Sequence, residues 1–596
     1  MYRSEQISPD LDLLGVQNKS GSRPTPILRQ HSSSSLAPCG PLRRRANTSA
    51  AVMPELFPLP THVSTSIGCL ALSPSFTITL KGPPSPPSTA GFLLEQAAKR
   101  YEKIIASDAT KPSAYYTCAT APSALPSLVI AVPTAAATAV DIPALEDDES
   151  YSISVDNSTA SLKAASVWGA MRGLETFSQL LVRDDTLGAT VVGSGSVLVQ
   201  DFPRFRHRGL MIDTSRRYLT VGAILEALDA MAYAKLNVLH WHITDDQSFP
   251  LEVAAFPRLS GRGAYNAGHK THVYSPAAVQ TIIRAASARG IRVIPELDMP
   301  GHTHSWFKGH PELETSCPTA TAQFGHPMNP VSPVVDAFVR TLWHEVNSAF
   351  PDHYSHIGGD EVSGECWGAN AVIRAYMLEH FSNASDFGSL QAVFESKVLH
   401  GNQQDGKASV LWQENFGDRR TAGYPPGTVV EIWKGNSSVA SETMRSVNVA
   451  GYETIFTCKE WYLNYQPWAH SARLDDQAEW EAVYNVEPLV LTLNTTADSL
   501  VQGAEACMWA PYQDTTNFMT TTFPRALAVA ERLWSSRATR NITDAITRVS
   551  ALRCRMLARG LPIPPVNSGG WGTGVLRGDF CPTPFAVGAG YESPYV

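Results

Sequence analysis

The sequence predicts an α/β protein, a (β/α)8 TIM barrel preceded by a smaller α+β domain. Three observations predict it. After Pro203, strand-like and helix-like segments alternate regularly with short connections, which implies a parallel sheet. Eight strand candidates fall in that stretch, the number that closes a barrel. Before it, from Pro54 to about Gln200, segments of alternating hydrophobicity accompany two helical stretches, as in an α+β domain. The 596 residues therefore divide into an N-terminal arm (1–52), an α+β domain (53–200) and a barrel with a C-terminal extension (201–596).

The arm contains Ser32 to Ser35, the basic run Arg43 to Arg45 and few large apolar residues, so it is expected to be disordered. In the α+β domain the strand-like segments include Phe76 to Leu80 and Tyr151 to Val155, and helices are expected at Phe92 to Ile105 and Ala164 to Val182. In the second helix Trp168, Met171, Leu174, Phe177 and Leu181 recur at three- and four-residue spacing, a core-facing stripe. The barrel strands are expected at Gly209 to Asp213, Asn237 to Ile243, Ile291 to Pro295, His356 to Gly359, Ser409 to Trp412, Thr428 to Trp433, Glu453 to Thr457 and Val501 to Cys507. Helices are expected at Val221 to Ala234, Pro276 to Arg289, Pro333 to Phe350, Leu390 to His400, Arg525 to Leu533 and Asp544 to Arg559.

Composition narrows the function classes. With 43% hydrophobic and 17% charged residues the chain is neither wholly disordered nor a coiled-coil rod. Forty-seven Lys plus Arg against 55 Asp plus Glu give a net charge of −8, which argues against nucleic acid as a partner. The most apolar stretch, Leu128 to Val140, contains Pro133 and falls short of the ~20 residues a spanning helix needs, so it reads as a buried strand and its turn. Nine cysteines and seven Asn-X-Ser/Thr sequons, beginning at Asn18, Asn47, Asn157, Asn383, Asn436, Asn494 and Asn541, favour a secreted or lysosomal/vacuolar route. Met1 to Ser20 does not match that route, because acids and polar residues stand where a signal peptide needs an apolar core.

Functional groups of a parallel barrel gather at the C-terminal ends of its strands. Those ends read HWHITDD, PELDMPGH, HIGGDEV, LWQE, EIWK, CKEWYLN and EACMW. Asp360 and Glu361 follow two glycines that leave room for a ligand, and mutual repulsion should push their proton affinities apart, so that one can act as an acid. Trp412, Trp433, Trp461 and Trp509 add apolar faces among acids and amides, a combination that suits a pyranose. His240 and His242 also admit a zinc-hydrolase reading, but later strands offer acids and tryptophans rather than further histidines, apart from His302 and His304.

Together RFRHRGLMIDTSRRYL, LNVLHWHITDDQSFPLE, GIRVIPELDMPGHTHSW, HIGGDEV, LWQE, WYLN and EACMW resemble the β-N-acetylhexosaminidases of glycoside hydrolase family 20, over about Leu56 to Cys581. The resemblance implies exo-acting removal of terminal β-linked N-acetylglucosamine or N-acetylgalactosamine from a glycan or chitooligosaccharide. It also implies a retaining mechanism in which the substrate's own acetamido carbonyl is the nucleophile. By resemblance Glu361 is the proton donor, and Asp360 holds the acetamido N–H. Arg208 grips sugar hydroxyls, while Trp412, Trp433 and Trp509 wall the pocket. Tyr462 bonds the acetamido oxygen and Asn464 contacts ligand. Asp245, Asp298 and His302 support Glu361. No cofactor or metal is implied, and monomer and homodimer both stay open.

The family pattern pairs Cys69 with Cys118, Cys317 with Cys366 and Cys554 with Cys581, leaves Cys458 and Cys507 free, and puts Cys39 in the arm. One departure stands out. Where the family carries a small residue and then an acid for distal hydroxyls, this chain has Ala510 and Pro511, so Asp514 or a neighbouring loop would have to substitute. Tyr465 after WYLN puts no basic side chain there for sulfated sugars. A non-catalytic glycan binder is the competing reading that Pro511 suggests.

Overall fold

The computed structural model describes residues 54–566 and 581, except 82–88, 109–123, 134–141, 157, 185–186, 270, 318–324, 417–423, 465–475 and 490–497. The expectations for the arm, Cys39, Cys118, Tyr465 and the sequons at Asn18, Asn47, Asn157 and Asn494 lie outside the described residues.

Eight described strands form the N-terminal sheet. In spatial order they are His62–Thr65, Ser196–Asp201, Tyr151–Asp156, Thr159–Ala164, Ala124–Ala131, Leu70–Leu80, Ala189–Val192 and Leu181–Asp184. Tyr151, Ile153 and Val155 alternate inward along their strand, the pattern of a sheet with one face on a core. The helix Val167–Gln179 packs on that sheet and is buried along its whole length. Ser166 starts it by accepting a hydrogen bond from Gly169 N at 3.1 Å. Gly173 lets it come close, since a Cβ there would stand 2.4 Å from Leu162 Cδ1. This helix is shorter than the apolar spacing predicts. Ala164 belongs to the preceding strand, and Leu181 leaves the helix to pair with Val192. A helical stripe and the first residue of a buried strand look alike when both are apolar.

Eight parallel strands close into a barrel: β1 His207–Asp213, β2 Val238–Thr244, β3 Arg292–Leu297, β4 Tyr354–His356, β5 Ala408–Trp412, β6 Val429–Ile432, β7 Glu453–Phe456 and β8 Val501–Met508, with β8 pairing back onto β1. Their residues are almost all buried on both faces, which is why these segments read as continuous runs rather than as alternation. The crossover helices start where the sequence supplies caps. Thr220 accepts from Ala223 N ahead of Val221–Tyr233, and Ser275 accepts from Ala278 N ahead of Pro276–Ser287. Asp386 does the same for Phe387–Gln404 through Ser389 N.

β4 ends earlier than predicted, at His356. The next residues leave the extended region: Gly358 has φ 72°, Gly359 φ 102° and Glu361 φ 52°. Among the described residues no helix is long and apolar enough to cross a membrane.

The α+β domain is bolted to the N-terminal end of the barrel. Arg172, on the helix Val167–Gln179, donates to Arg289 O and Gly290 O just before β3 and to Glu149 Oε1. Lys235, just before β2, reaches Tyr151 Oη and Asp201 Oδ2 at 2.8 and 3.0 Å.

Candidate active site

The loop after β4 carries Asp360 and Glu361 into the C-terminal mouth of the barrel, and it is held from three sides. Gly358 N donates to His356 Nδ1 at 3.0 Å, Gly359 N to Asp298 Oδ1 at 3.0 Å, and Gln391 Nε2 to Gly359 O at 2.6 Å. A Cβ on Gly358 would fall 1.8 Å from Asp298 Oδ1, so only glycine lets the loop pass that close to β3. His302 and Glu361 both hold positive φ, 53° and 52°, and backbone strain of this kind concentrates at working sites.

The two carboxylates share one neighbour. His302 Nε2 stands 3.6 Å from Asp360 Oδ2 and 3.6 Å from Glu361 Oε2, while its Nδ1 lies 3.3 Å from Asp245 Oδ1. Asp360 is buried, whereas the Glu361 side chain is 35% exposed, so only the latter can meet an incoming bond easily. Burial, then the charge of Asp360, raises the Glu361 carboxyl above its ordinary value. Burial and Asp360 also hold Asp298 well above the carboxylate range. Asp245 goes the other way. Burial opposes ionisation there, but Arg216 and His302 outweigh it and keep the group ionised.

Arg216 lies just beyond the end of β1. Its guanidinium reaches Asp245 Oδ2 at 2.5 Å and Asp213 Oδ2 at 3.2 Å, and sits 4.9 Å from the Trp509 ring centre. Trp412, Trp433, Tyr462 and Trp509 gather over Met211 and Cys507. Tyr462 lies parallel to Trp433 at 6.3 Å and edge-on to Trp509 at 6.2 Å, and burial pushes its phenol well above the usual value, so it stays a donor. Trp412 is pinned from below, its Nε1 donating to Glu296 Oε1 at 2.9 Å.

Beneath this floor the barrel is filled with ionisable groups rather than aliphatic side chains. His240 sits between Glu505 Oε1 at 2.7 Å and Glu296 Oε2 at 2.9 Å, and His242 Nδ1 is 2.6 Å from Glu296 Oε2. Burial lowers the proton affinity of both histidines, but the carboxylates prevail and raise them, His242 to about 9. Several of these groups are close enough to share an ion, among them His240, Glu296 and His356. His240 and His242 form an ion-pair layer with Glu296 and Glu505.

The comparisons agree with this geometry. The profile described as glycosyl hydrolase family 20, catalytic domain, matches residues 205–537, and one described as beta-acetyl hexosaminidase like matches 56–180. The chain belongs to glycosyl hydrolase family 20. It is 40% identical over 536 residues to the β-hexosaminidase subunit beta of Homo sapiens, covering 88% of this chain and 91% of that one. To the subunit alpha of Rattus norvegicus it is 36% identical, covering 87% and 95%. Among solved structures a Flavobacterium johnsoniae chitobiase superposes with TM-score 0.72 at 26% identity, covering 85% of this chain and 73% of the other. A Vibrio harveyi exo-β-N-acetylglucosaminidase, at TM-score 0.69 and 22% identity over 86% and 78%, shares the fold. As a family 20 member the protein is a glycoside hydrolase.

One of the predicted site residues is not at the site. Arg208 lies at the opposite, N-terminal end of β1 and is fully buried. It donates to Lys235 O at 2.9 Å, Phe205 O at 2.8 Å and Glu149 Oε2 at 2.5 Å, beside the Trp534 ring. It cements the two domains and cannot touch a sugar at the other mouth. The arginine at the mouth is Arg216, in the same motif, three residues beyond the end of the strand that runs from Arg208 to Asp213 at about 3.3 Å per residue. That spacing was legible in the sequence, whereas the likeness of the string alone does not say which arginine faces the ligand.

Asp245, Asp298, His302, Asp360, Glu361, Trp412, Trp433, Tyr462 and Trp509 do come together. Asn464 is half-buried two residues past Tyr462, on the run that leads away from β7. Asp514 does not replace the family acid. It is exposed, and its Oδ1 is taken by Thr516 N at 2.8 Å and Thr516 Oγ1 at 2.5 Å. Two groups that the sequence reading did not single out also face the mouth, Glu414 after β5 and Lys434 after β6. Cys317 pairs with Cys366 and Cys554 with Cys581, Cys69 is disulfide-bonded, and Cys458 and Cys507 are free and buried. The Cys317–Cys366 bridge ties down the helix Gly364–Ala369 that follows the loop carrying Asp360 and Glu361.

Proposed function

We propose that this hydrolase removes terminal, non-reducing β-linked N-acetylglucosamine or N-acetylgalactosamine with retention, using the substrate's own acetamido oxygen as nucleophile. One observation carries the reading: the two carboxylates that face the ligand are consecutive residues on one loop, both beside His302 Nε2. An ordinary retaining pair must flank the scissile bond from opposite sides of the ring, at about 5 Å. Neighbours on one loop cannot do so, and the second nucleophilic group must then come from the substrate.

Glu361, whose carboxyl is raised above its ordinary value, gives a proton to the departing glycosidic oxygen as the acetamido oxygen closes on the anomeric carbon. Asp360 accepts the acetamido N–H and offsets the positive charge that develops on the oxazolinium-like ring. Tyr462 donates to the acetamido oxygen, and Trp412, Trp433 and Trp509 exclude water from that step. Glu361, now ionised, draws a proton from the water that opens the intermediate. Arg216, between Asp213 and Asp245, takes the hydroxyls on the far side of the sugar. Disulfides at Cys317–Cys366 and Cys554–Cys581 support work in a secreted or lysosomal/vacuolar compartment, where such bonds persist.

The test is a panel of aryl β-glycosides. The 2-acetamido gluco and galacto sugars should release chromophore, the 2-hydroxy analogues should be slower by at least about a thousandfold, in the range expected for a lost intramolecular nucleophile, and an N-acetylglucosamine thiazoline should inhibit. Equal rates with and without the acetamido group would overturn the mechanism.

A further inference from the structure

Three Asn-X-Ser/Thr sequons lie within the described residues, and the structure treats their asparagines alike. Asn383, Asn436 and Asn541 are exposed, and each Oδ1 accepts a backbone N–H, from Ser385 at 3.0 Å, Val439 at 3.2 Å and Asp544 at 3.1 Å. The first bond makes an Asx turn, and the other two cap helices. Among the described residues their Nδ2 atoms donate to no protein group. Asn370 and Asn517 also begin helices but lie outside sequons, and they spend Nδ2 on Ser316 O and Tyr512 O, at 3.0 Å each. The sequon asparagines thus hold their side chains in place by one end and leave free the atom that a glycan is attached to.

Two of the three stand at the mouth. Beside Glu361 it widens into a cavity of about 340 Å³, walled in part by Phe387, Gly388, Trp433 and Lys434. Asn383 leads into that wall through a tight turn, Asp386 N donating to Asn383 O at 3.1 Å just before Phe387. Asn436 leaves the wall two residues after Lys434, no more than about 7.6 Å from it, Cα to Cα. It is fixed there by Lys459 N on Gly435 O at 3.0 Å and Ser437 N on Glu460 Oε2 at 3.1 Å. One turn along, Val439 is 48% exposed, apolar surface that the first sugar of a glycan can cover. Asn541 is at the other end of the barrel. It follows Arg540, whose guanidinium meets Glu487 together with that of Arg204, just before β1. We infer that Asn383 and Asn436 carry N-linked glycans, and that these narrow the approach to Glu361 so that linear chain ends enter more readily than branched ones. The inference rests on the activity and compartment proposed above. The attachment is a group transfer from a lipid-linked oligosaccharide. Nδ2 bonds to the anomeric carbon and gives up a proton, as the bond from that carbon to the lipid pyrophosphate oxygen breaks. A glycan is bulky and stays in solvent, so at these positions it takes up space over the mouth without entering the pocket. A linear oligosaccharide presents a single chain, whereas a branched one brings a second arm that meets the attached sugars.

Peptide mapping of the full chain made in a eukaryotic host, before and after treatment with a peptide-N-glycosidase, should find glycan at both positions. Asn383→Asp with Asn436→Asp removes both sequons and keeps both acceptors, since Asp serves as well as Asn there. Ser385→Ala with Ser438→Ala removes the sequons without adding charge. Either double variant should raise kcat/KM on a branched glycan ending in N-acetylglucosamine at least about fivefold relative to N,N′-diacetylchitobiose. The aryl glycoside should be hydrolysed as by the wild type, and Asn541→Asp should change none of these rates. Bare asparagines at 383 and 436 beside a glycosylated Asn541 would overturn the inference while leaving compartment and activity standing. So would a branched-to-linear ratio that both double variants leave unchanged. A chain kept in the cytosol would take down the compartment as well, and one that cleaves no N-acetylhexosaminide would take down the activity.

Discussion

The two ends of the barrel each hold an arginine from the same stretch of sequence, and they differ in what surrounds it. At the N-terminal end Arg208 spends its guanidinium on three main-chain carbonyls and Glu149, inside a lattice completed by Arg172, Lys235, Tyr151 and Asp201. At the C-terminal end Arg216 is 20% exposed and stands among groups whose hydrogen-bonding capacity is not used up. His302 Nε2, Asp298 Oδ2 and Asp360 Oδ1 are buried without a hydrogen-bond partner. Buried polar atoms are nearly always satisfied, and leaving them open costs stability. At the C-terminal mouth a substrate can supply the partners, whereas the open atoms near the N-terminal end, His207 Nδ1 and Arg292 Nη1, belong to side chains otherwise tied to Glu505 and Asp352. A shared residue type and a shared motif therefore say little about role, and local saturation says much more.

Glu361 should show the sharpest contrast with the saturated end. Glu361→Gln keeps size and removes the transferable proton, so kcat should fall by about 10³-fold, within the range for lost general acid catalysis. The thermal midpoint should hardly move, because this half-exposed side chain is no structural tie. Steady-state kinetics beside a thermal melt would check both. A kcat near wild type would dismiss Glu361 as the acid.

The arginines test the comparison directly. Arg208→Met breaks a buried charge arrangement and should cost about 3 kcal/mol, read as a lower thermal midpoint or a shorter half-life on heating, while KM of the folded protein stays put. Arg216→Met should do the reverse where function is concerned, raising KM or lowering kcat at least tenfold, as for a hydrogen bond from a charged group. If Arg208→Met altered KM and Arg216→Met only stability, the two ends would have been assigned the wrong way round.

Much of this was legible in the sequence, for identifiable reasons. Strands buried on both faces give continuous apolar runs, so all eight barrel strands fall where the runs are, and the helices expected from Val221 and Pro276 start there. β4 is the exception, because Gly358 and Gly359 look like more strand until their positive φ is known. The helix Val167–Gln179 was overextended because the apolar stripe runs into a buried strand. The acids and aromatics of the site were legible from strand-end motifs. The Glu414–Lys434 rim was not, since it is made by the ends of β5 and β6 meeting a helix at Phe387–Gln404, a juxtaposition that no local pattern encodes.

The smallest expected effect concerns how the open end tunes its acid. Burial is the larger cause raising the Glu361 carboxyl and the charge of Asp360 the next, while His302, Arg216 and Lys434 pull it down. Activity requires the protonated acid, so kcat/KM of the free enzyme should fall as pH rises through that raised value, at higher pH than an ordinary glutamate of about 4.3 would allow. Asp360→Asn removes the like charge and leaves the burial. The residual activity should then lose its alkaline limb at lower pH than the wild type, alongside a lower kcat from the missing acetamido contact. A pH profile of kcat/KM on the aryl glycoside separates the two effects, since the limb reports proton affinity and the plateau reports catalysis. A limb that stayed in place would mean that Asp360 is not a cause of the raised Glu361 carboxyl.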